Sequence, residues 1–190
     1  MKFVIATHNA HKVEEFRRIL APLGIEVVTA DFEDVEETGT TFAENAKIKA
    51  DAACRATGLP SVADDSGLSV DALDGKPGVY SARWAGEGAT DAQRIDKLLR
   101  EMKNVPASER TAKFVSAIHC AFPDGTSIAV QGECAGTIAF QPCGTSGFGY
   151  DPVFLVGDKT YAEMTGPEKD LVSHRGKALR LFVEALKERS

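Results

Sequence analysis

The apolar residues of KFVIAT (2–7) run almost unbroken, as in a short buried strand. From Asn9 to about Leu20 the spacing changes. Val13, Phe16, Leu20 and Leu23 recur at threes and fours, one face of a helix, and Pro22 and Gly24 punctuate its end. IEVVTA (25–30) reads as a second strand. The acidic loop DFEDVEETG (31–39) then leads into a helix over about Phe42–Thr57, where Thr41 and Glu44 have the spacing of a capping box. Strand, helix, strand, helix in this order predicts an α/β unit. After Leu59-Pro60, SVADD (61–65) is a further strand expected to end in a Ser66-Gly67 turn. A Gly/Pro-rich loop (73–88) precedes a helix around residues 90–102. TAKFVSAIHCAF and TSIAVQGECAGTIAF flank the turn PDG and predict a long hairpin, with Phe114, Ser116, Ile118, Cys120 and Phe122 on one face. A second Gly-rich loop, CGTSGFGYDP (143–152), follows. The last helix is HRGKALRLFVEALKER (174–189), with Leu179, Phe182 and Leu186 facing inward and Ser173 as N-cap. No repeat or linker interrupts this pattern, so a single domain over residues 1–190 is expected.

Composition narrows the class. With 43% hydrophobic and 26% charged residues the chain reads as an ordinary globular protein. No apolar run approaches the roughly 18 residues of a membrane span, and MKFVIATHNAHK turns polar too soon for a signal-peptide core. The four cysteines lack CxxC spacing, which argues against a zinc site and a disulfide framework and for idle thiols in a reducing, cytoplasmic setting. A net charge of −6 argues against broad binding to nucleic acid or anionic membrane. An anion would have to be held by a local cluster of cations or a metal.

Several segments break local rules. His11 and Lys12 stand in the first turn of a helix, where the dipole disfavours positive charge. A helix start after a strand has free N–H groups for an anion, and Thr7 and Asn9 could add hydrogen bonds. A solvated lysine beside an ordinary cap is the alternative. Glu44 reads as a cap before it reads as a metal ligand, whereas Glu36 and Glu37 are free to face a site. Lys47 and Lys49 follow within two turns and are solvated by default. Asp64 and Asp65, if both lie on a strand, point to opposite faces, so one alone can face a pocket. Mg²⁺ is held by one or two carboxylates with waters and phosphates, which one acid from ADDSG and one from EETG would satisfy. A purely conformational Asp-Ser-Gly turn is the alternative. Phe148 and Tyr150 in the Gly-rich loop would make a platform for a base. Lys169, His174, Arg175 and Lys177 gather at the start of the last helix, again against the dipole. The sum is the inventory of a nucleotide-phosphate site. With no GxSxG elbow and no covalent nucleophile, it predicts metal-assisted attack by water.

These stretches together resemble the inosine triphosphate pyrophosphatase family, the deaminated-purine (dITP/XTP) pyrophosphatases. THNAHK is similar to the family's opening motif, ETGTTFAENAKIKA to its second helix, ADDSGL to its catalytic turn and GVYSARWAG to its central loop. GFGYDP and SHRGKAL are similar to its base-pocket and C-terminal motifs. His8 departs from the pattern, since many members carry glycine there. The resemblance implies an elongated mixed α/β sheet with flanking helices, two lobes around a nucleotide cleft, and a homodimer. It implies Mg²⁺-dependent hydrolysis of ITP, dITP and XTP between the α- and β-phosphates, giving monophosphate and pyrophosphate. By motif, Thr7, Asn9, Lys12 and Lys49 would hold phosphates, with His8, Ala10 and His11 of the same segment lining the substrate. Glu37 and Asp65 would bind the metal, Asp65 and Lys49 would be catalytic, and Ser66 would assist. Asp64 would support from behind. Phe148, Gly149, Tyr150 and Asp151, with Lys169, His174 and Arg175, would form the base and sugar pocket. Donors such as His174 or Arg175 would favour the 6-oxo group of hypoxanthine and xanthine over the adenine amine. Rival readings are a pyrophosphatase for dTTP or UTP and a nucleotide sensor without turnover.

Overall fold

The third strand does not stop at the Ser66-Gly67 pair. In the computed structural model, which describes residues 1–189, β3 runs over Ser61–Val70 without a turn. Leu68 and Val70 beyond the pair are both fully buried, and their packing outweighs the local turn preference of Ser and Gly.

Before β3, β1 (Lys2–Ile5), α1 (Ala10–Leu20) and β2 (Glu26–Val28) form a right-sized crossover unit, with β1 and β2 parallel and Lys2 opposite Glu26. Asn9 caps α1, and Gly24, in a left-handed conformation (φ 75°), ends the turn that follows it. The next helix, α2 (Phe42–Thr57), carries the expected capping box of Thr41 and Glu44 and returns the chain to β3, which lies parallel to β1 on its other side. Then come α3 (Asp91–Glu101) and the hairpin strands β4 (Thr111–Ala121) and β5 (Ser127–Ile138). The chain closes with β6 (Phe154–Val156), β7 (Lys159–Thr160), α4 (Gly166–Val172) and α5 (His174–Arg189). The strands form one mixed sheet in the order β2-β1-β3-β4-β5-β6-β7, the α/β class expected from the hydrophobic pattern.

Two compact units share these strands. The first comprises Met1–Asp65, Ser116–Gly132 and the segment from His174 on. Its core packs Phe3, Ile5, Phe16, Leu20, Val62, Ile118 and Cys120 with Leu179, Phe182 and Leu186, the inward face assigned to α5. Gly132 on β5 makes this packing possible. A Cβ there would lie 2.4 Å from the His174 carbonyl oxygen and 2.5 Å from the Ala178 nitrogen, so the first turn of α5 rests directly on strand backbone. The second unit comprises Ser66–Val115 and Glu133–Ser173. In its core Phe114 stacks on Tyr161 at 5.6 Å and meets the edge of Phe154 at 4.7 Å.

The elements missed by periodicity are the short ones, β6, β7 and α4, none long enough to show a period. The cysteines are free, and Cys54, Cys120 and Cys134 are buried. Among the described residues no helix is long and apolar enough to cross a membrane.

Candidate active site

Alternation along β3 sends the neighbouring acids to different surroundings, and each side has its own electrostatics. Asp64 is 1% exposed. Its Oδ2 meets Lys12 Nζ at 2.8 Å and Arg175 Nη2 at 3.1 Å, and its Oδ1 accepts from Ser116 Oγ at 2.5 Å. The other arm of Arg175 donates to Glu15 Oε2 at 2.5 Å. Two cations and two anions thus balance in the interior of the first unit. Burial alone would raise the Asp64 carboxyl, but Arg175 and Lys12 outweigh it and hold it well below the usual range. Burial also lowers Lys12, against the pull of Asp64. The cation that seemed misplaced in the first turn of α1 therefore has a buried counter-charge on β3.

Asp65 faces a different set. Lys49 Nζ lies 3.2 Å from Asp65 Oδ1, 3.2 Å from Glu37 Oε1 and 3.0 Å from the Asp64 carbonyl oxygen. The start of α2 fixes this register. Glu44 accepts from the amides of Thr40 and Thr41 and so serves the cap, leaving Glu37 as the loop carboxylate at the site. Gly39 donates to Asn45 Oδ1 at 2.8 Å, an approach a Cβ would block at 2.6 Å. The second oxygen of Asp65, Oδ2, is buried with no hydrogen-bond partner. Burial raises the Asp65 carboxyl despite Lys49, while Lys49 itself, though burial lowers it, is raised by Asp65 and Glu37.

This donor set suits a hard cation. Glu37 and Asp65 offer oxygen ligands, one with an unsatisfied buried oxygen. Among the described residues no group of three or more His, Cys, Asp or Glu is placed to cage a metal. The residues fit an ion that takes one or two carboxylates and completes its octahedron with water and phosphate, as Mg²⁺ does.

In the opening motif, Thr7 Oγ1 accepts from the Asn9 amide at 3.2 Å. Asn9 Oδ1 caps the amides of His11 (3.0 Å) and Lys12 (3.4 Å), so those N–H groups are engaged in the cap. His8 packs on Phe32 with ring centroids 5.4 Å apart, and its Nε2 lies 3.0 Å from Asp34. His8, Asn9, Ala10 and His11 are exposed.

The second unit holds Ser66, the Phe148–Asp151 loop and Lys169. Asp151 Oδ2 accepts from Lys169 Nζ at 2.7 Å and from the Phe148 amide at 3.0 Å, which folds the Gly-rich loop around it. Lys169 Nζ sits 4.9 Å from the Phe148 ring centroid and 5.3 Å from that of Tyr161. The Gly149 amide donates to Asp91 at 2.9 Å, and Ser66 on β3 is partly buried. One expectation changes here. Tyr150 is buried and its hydroxyl donates to the Ser81 carbonyl at 2.8 Å, so it is a core residue, while Phe148 is partly buried. His174 and Arg175 are buried as well, and the guanidinium of Arg175 is directed to Asp64 and Glu15, where the reading from the motif had aimed it at a base.

Glu15 and Ser116 were not assigned to the site from sequence. Ser116 did carry a signal, as the one polar residue in an otherwise apolar and aromatic alternation on β4. Glu15 carried a weaker one, since its partner Arg175 is remote in the chain.

The model of the Ham1 family matches residues 3–185. A dITP/XTP pyrophosphatase of Geobacillus kaustophilus is 51% identical, covering 98% of this chain and 95% of its own. One of Yersinia pseudotuberculosis is 48% identical over 98% of both. Among solved structures, a HAM1 protein from Coxiella burnetii superposes with a TM-score of 0.89 at 42% identity, over 99% of both chains. The Ham1 protein of Staphylococcus aureus gives 0.87 at 41%, over 100% of both.

Proposed function

Because this chain belongs to the Ham1 family, we propose that it is a nucleoside-triphosphate pyrophosphatase that acts on deaminated purine nucleotides, ITP, dITP and XTP, and clears them from the nucleotide pool. The observation that carries the reading is Asp65, a buried carboxylate with one oxygen unsatisfied, set beside Lys49 and Glu37. Relatives at about half identity bear the dITP/XTP name, which supports the substrate class.

In this reading Glu37 and Asp65 would hold Mg²⁺, which would supply neutralisation of phosphate charge and a lowered pKa for water. Lys12 and Lys49 bind and orient the phosphates, helped by Thr7 and Asn9. Asp65 takes the proton of the attacking water, a task to which its raised carboxyl is suited. The water oxygen bonds to the α-phosphorus, the bond to the bridging oxygen breaks, and pyrophosphate leaves. Asp64, with Arg175, Glu15 and Ser116, holds Lys12 in place without touching the reacting atoms. Base recognition is assigned to Phe148 and its loop, on the likeness of that motif. A homodimer is carried forward on the same ground, and a cytoplasmic setting on the scattered cysteines.

The test is pyrophosphate release with Mg²⁺ from ITP, dITP and XTP beside ATP, GTP, dTTP and UTP, with Asp65→Asn as control. Asp65-dependent release from the first three alone is expected. Equal turnover of all, or release of orthophosphate, would overturn the assigned role. Tight binding without product would favour a sensor.

A further inference from the structure

We propose that Lys49 and the divalent cation are alternative occupants of one position between Glu37 and Asp65, so that metal loading moves the Lys49 ammonium off both carboxylates. The inference rests on the reading of these acids as the metal pair. Lys49 Nζ is within 3.2 Å of Glu37 Oε1 and of Asp65 Oδ1 and 3.0 Å from the Asp64 carbonyl oxygen, so it bridges the acids an ion would bridge. An ion bound to those oxygens at about 2.1 Å would stand against the positive charge of the ammonium, and the two repel.

The remaining route to Asp65 is through Oδ2, but that atom is buried. Mg²⁺ gives up its waters reluctantly and keeps several of them. To reach Oδ2 a hydrated ion needs the carboxylate to turn outward, and that turn breaks the Oδ1 contact with Lys49. By either route the ammonium leaves Asp65. Lys49 stands on α2, whose start is fixed by the Thr41–Glu44 cap and the Gly39–Asn45 contact, so its backbone stays while the flexible stem swings. The lysine is then available to phosphate only once the metal is in. Lys49 in this sense couples two binding events.

The experiment measures metal alone, without nucleotide. Mn²⁺ affinity is read by electron paramagnetic resonance in wild type, Lys49→Met, Lys47→Met, Glu37→Gln and Asp65→Asn. Lys47→Met removes the same charge from the exposed, Asp51-paired face of the helix. Release of the ammonium contacts predicts Mn²⁺ binding on the order of tenfold tighter in Lys49→Met, little change in Lys47→Met, and weaker binding in Glu37→Gln. In parallel, the Cε–Nζ resonances of Lys49 in the wild-type protein are followed during Mg²⁺ titration. They should shift and saturate with metal occupancy, and this measurement decides alone if Lys49→Met does not fold. Unmoved Lys49 resonances would overturn the inference while leaving the metal pair intact, even if Lys49→Met bound Mn²⁺ more tightly. No effect of Glu37→Gln or Asp65→Asn on Mn²⁺ binding would instead remove the metal pair, and this inference with it.

Discussion

Replacing each β3 aspartate by asparagine should separate a structural charge from a catalytic one. Asp64 joins two cations and a hydroxyl in the interior. Charge-assisted hydrogen bonds contribute about 1.5–3 kcal/mol each, which sets an upper bound of several kcal/mol for the group. Two features reduce the loss. Arg175 keeps Glu15, and the Lys12 side chain, 15% exposed, retains some access to water. Breaking a buried pair from one side costs about 3–5 kcal/mol. Asp64→Asn should therefore lower the melting temperature by roughly 6–20 °C for a chain of this size. Asp65→Asn should behave differently. Its folded carboxyl is raised, so at neutral pH the ionised group weighs against the fold, and asparagine should leave stability unchanged or slightly higher while pyrophosphate release disappears. The pH dependence carries the same signs. Asp64 is depressed, so its contribution is full above the unfolded value of about 3.9 and is lost as pH falls through its lower folded value. Asp65 is raised, so wild type gains on Asp65→Asn as pH falls through the Asp65 folded value. Urea unfolding in EDTA, run from neutral pH down to about pH 3.5, reads the Asp65 gain and the onset of the Asp64 loss. Equal destabilisation of the two variants at neutral pH, or an Asp64→Asn protein as stable as wild type, would refute this assignment of charge.

Two other substitutions probe the supports of the site. Gly132→Ala puts a methyl against the backbone of α5 at 2.4–2.5 Å, where no flexible side chain can give way. Overpacking of this kind costs about 1–3 kcal/mol or more, and because the displaced turn carries Arg175, calorimetry should show a lower melting temperature and Lys12-dependent phosphate binding should weaken. Lys169→Met strands the Asp151 carboxylate, both side chains of the pair being 5% exposed. A loss of about 3–5 kcal/mol is expected, and Lys169→Met with Asp151→Asn should recover much of it in thermal unfolding, an outcome a solvent-exposed base-binding lysine would not give.

The helices and their caps were legible because their determinants are local. The Thr41–Glu44 box, the Asn9 cap and the inward face of α5 all lie within a turn or two of the residues they organise. The Ser66-Gly67 turn was misread for the converse reason. Its residue types favour a bend, and only the neighbouring strands, distant in sequence, hold it straight. The same divide runs through the site. Its candidate residues stood out as rule-breaking charge, yet charge that violates a helix dipole does not say whether a ligand or the protein itself supplies the compensation.

For Lys12 and Arg175 the protein supplies it, through Asp64 and Glu15, and no local pattern links residues separated so widely in the chain. For Lys49 the compensation comes from the same acids proposed to bind metal. The adjacency of two aspartates then has a physical reason. A strand delivers consecutive residues to opposite faces at no extra cost in chain length. One acid can be spent on neutrality, locking a lysine in the interior. The next, a single peptide away and therefore rigidly placed against the first, can be left short of partners on the side where a cation and a water are to be received.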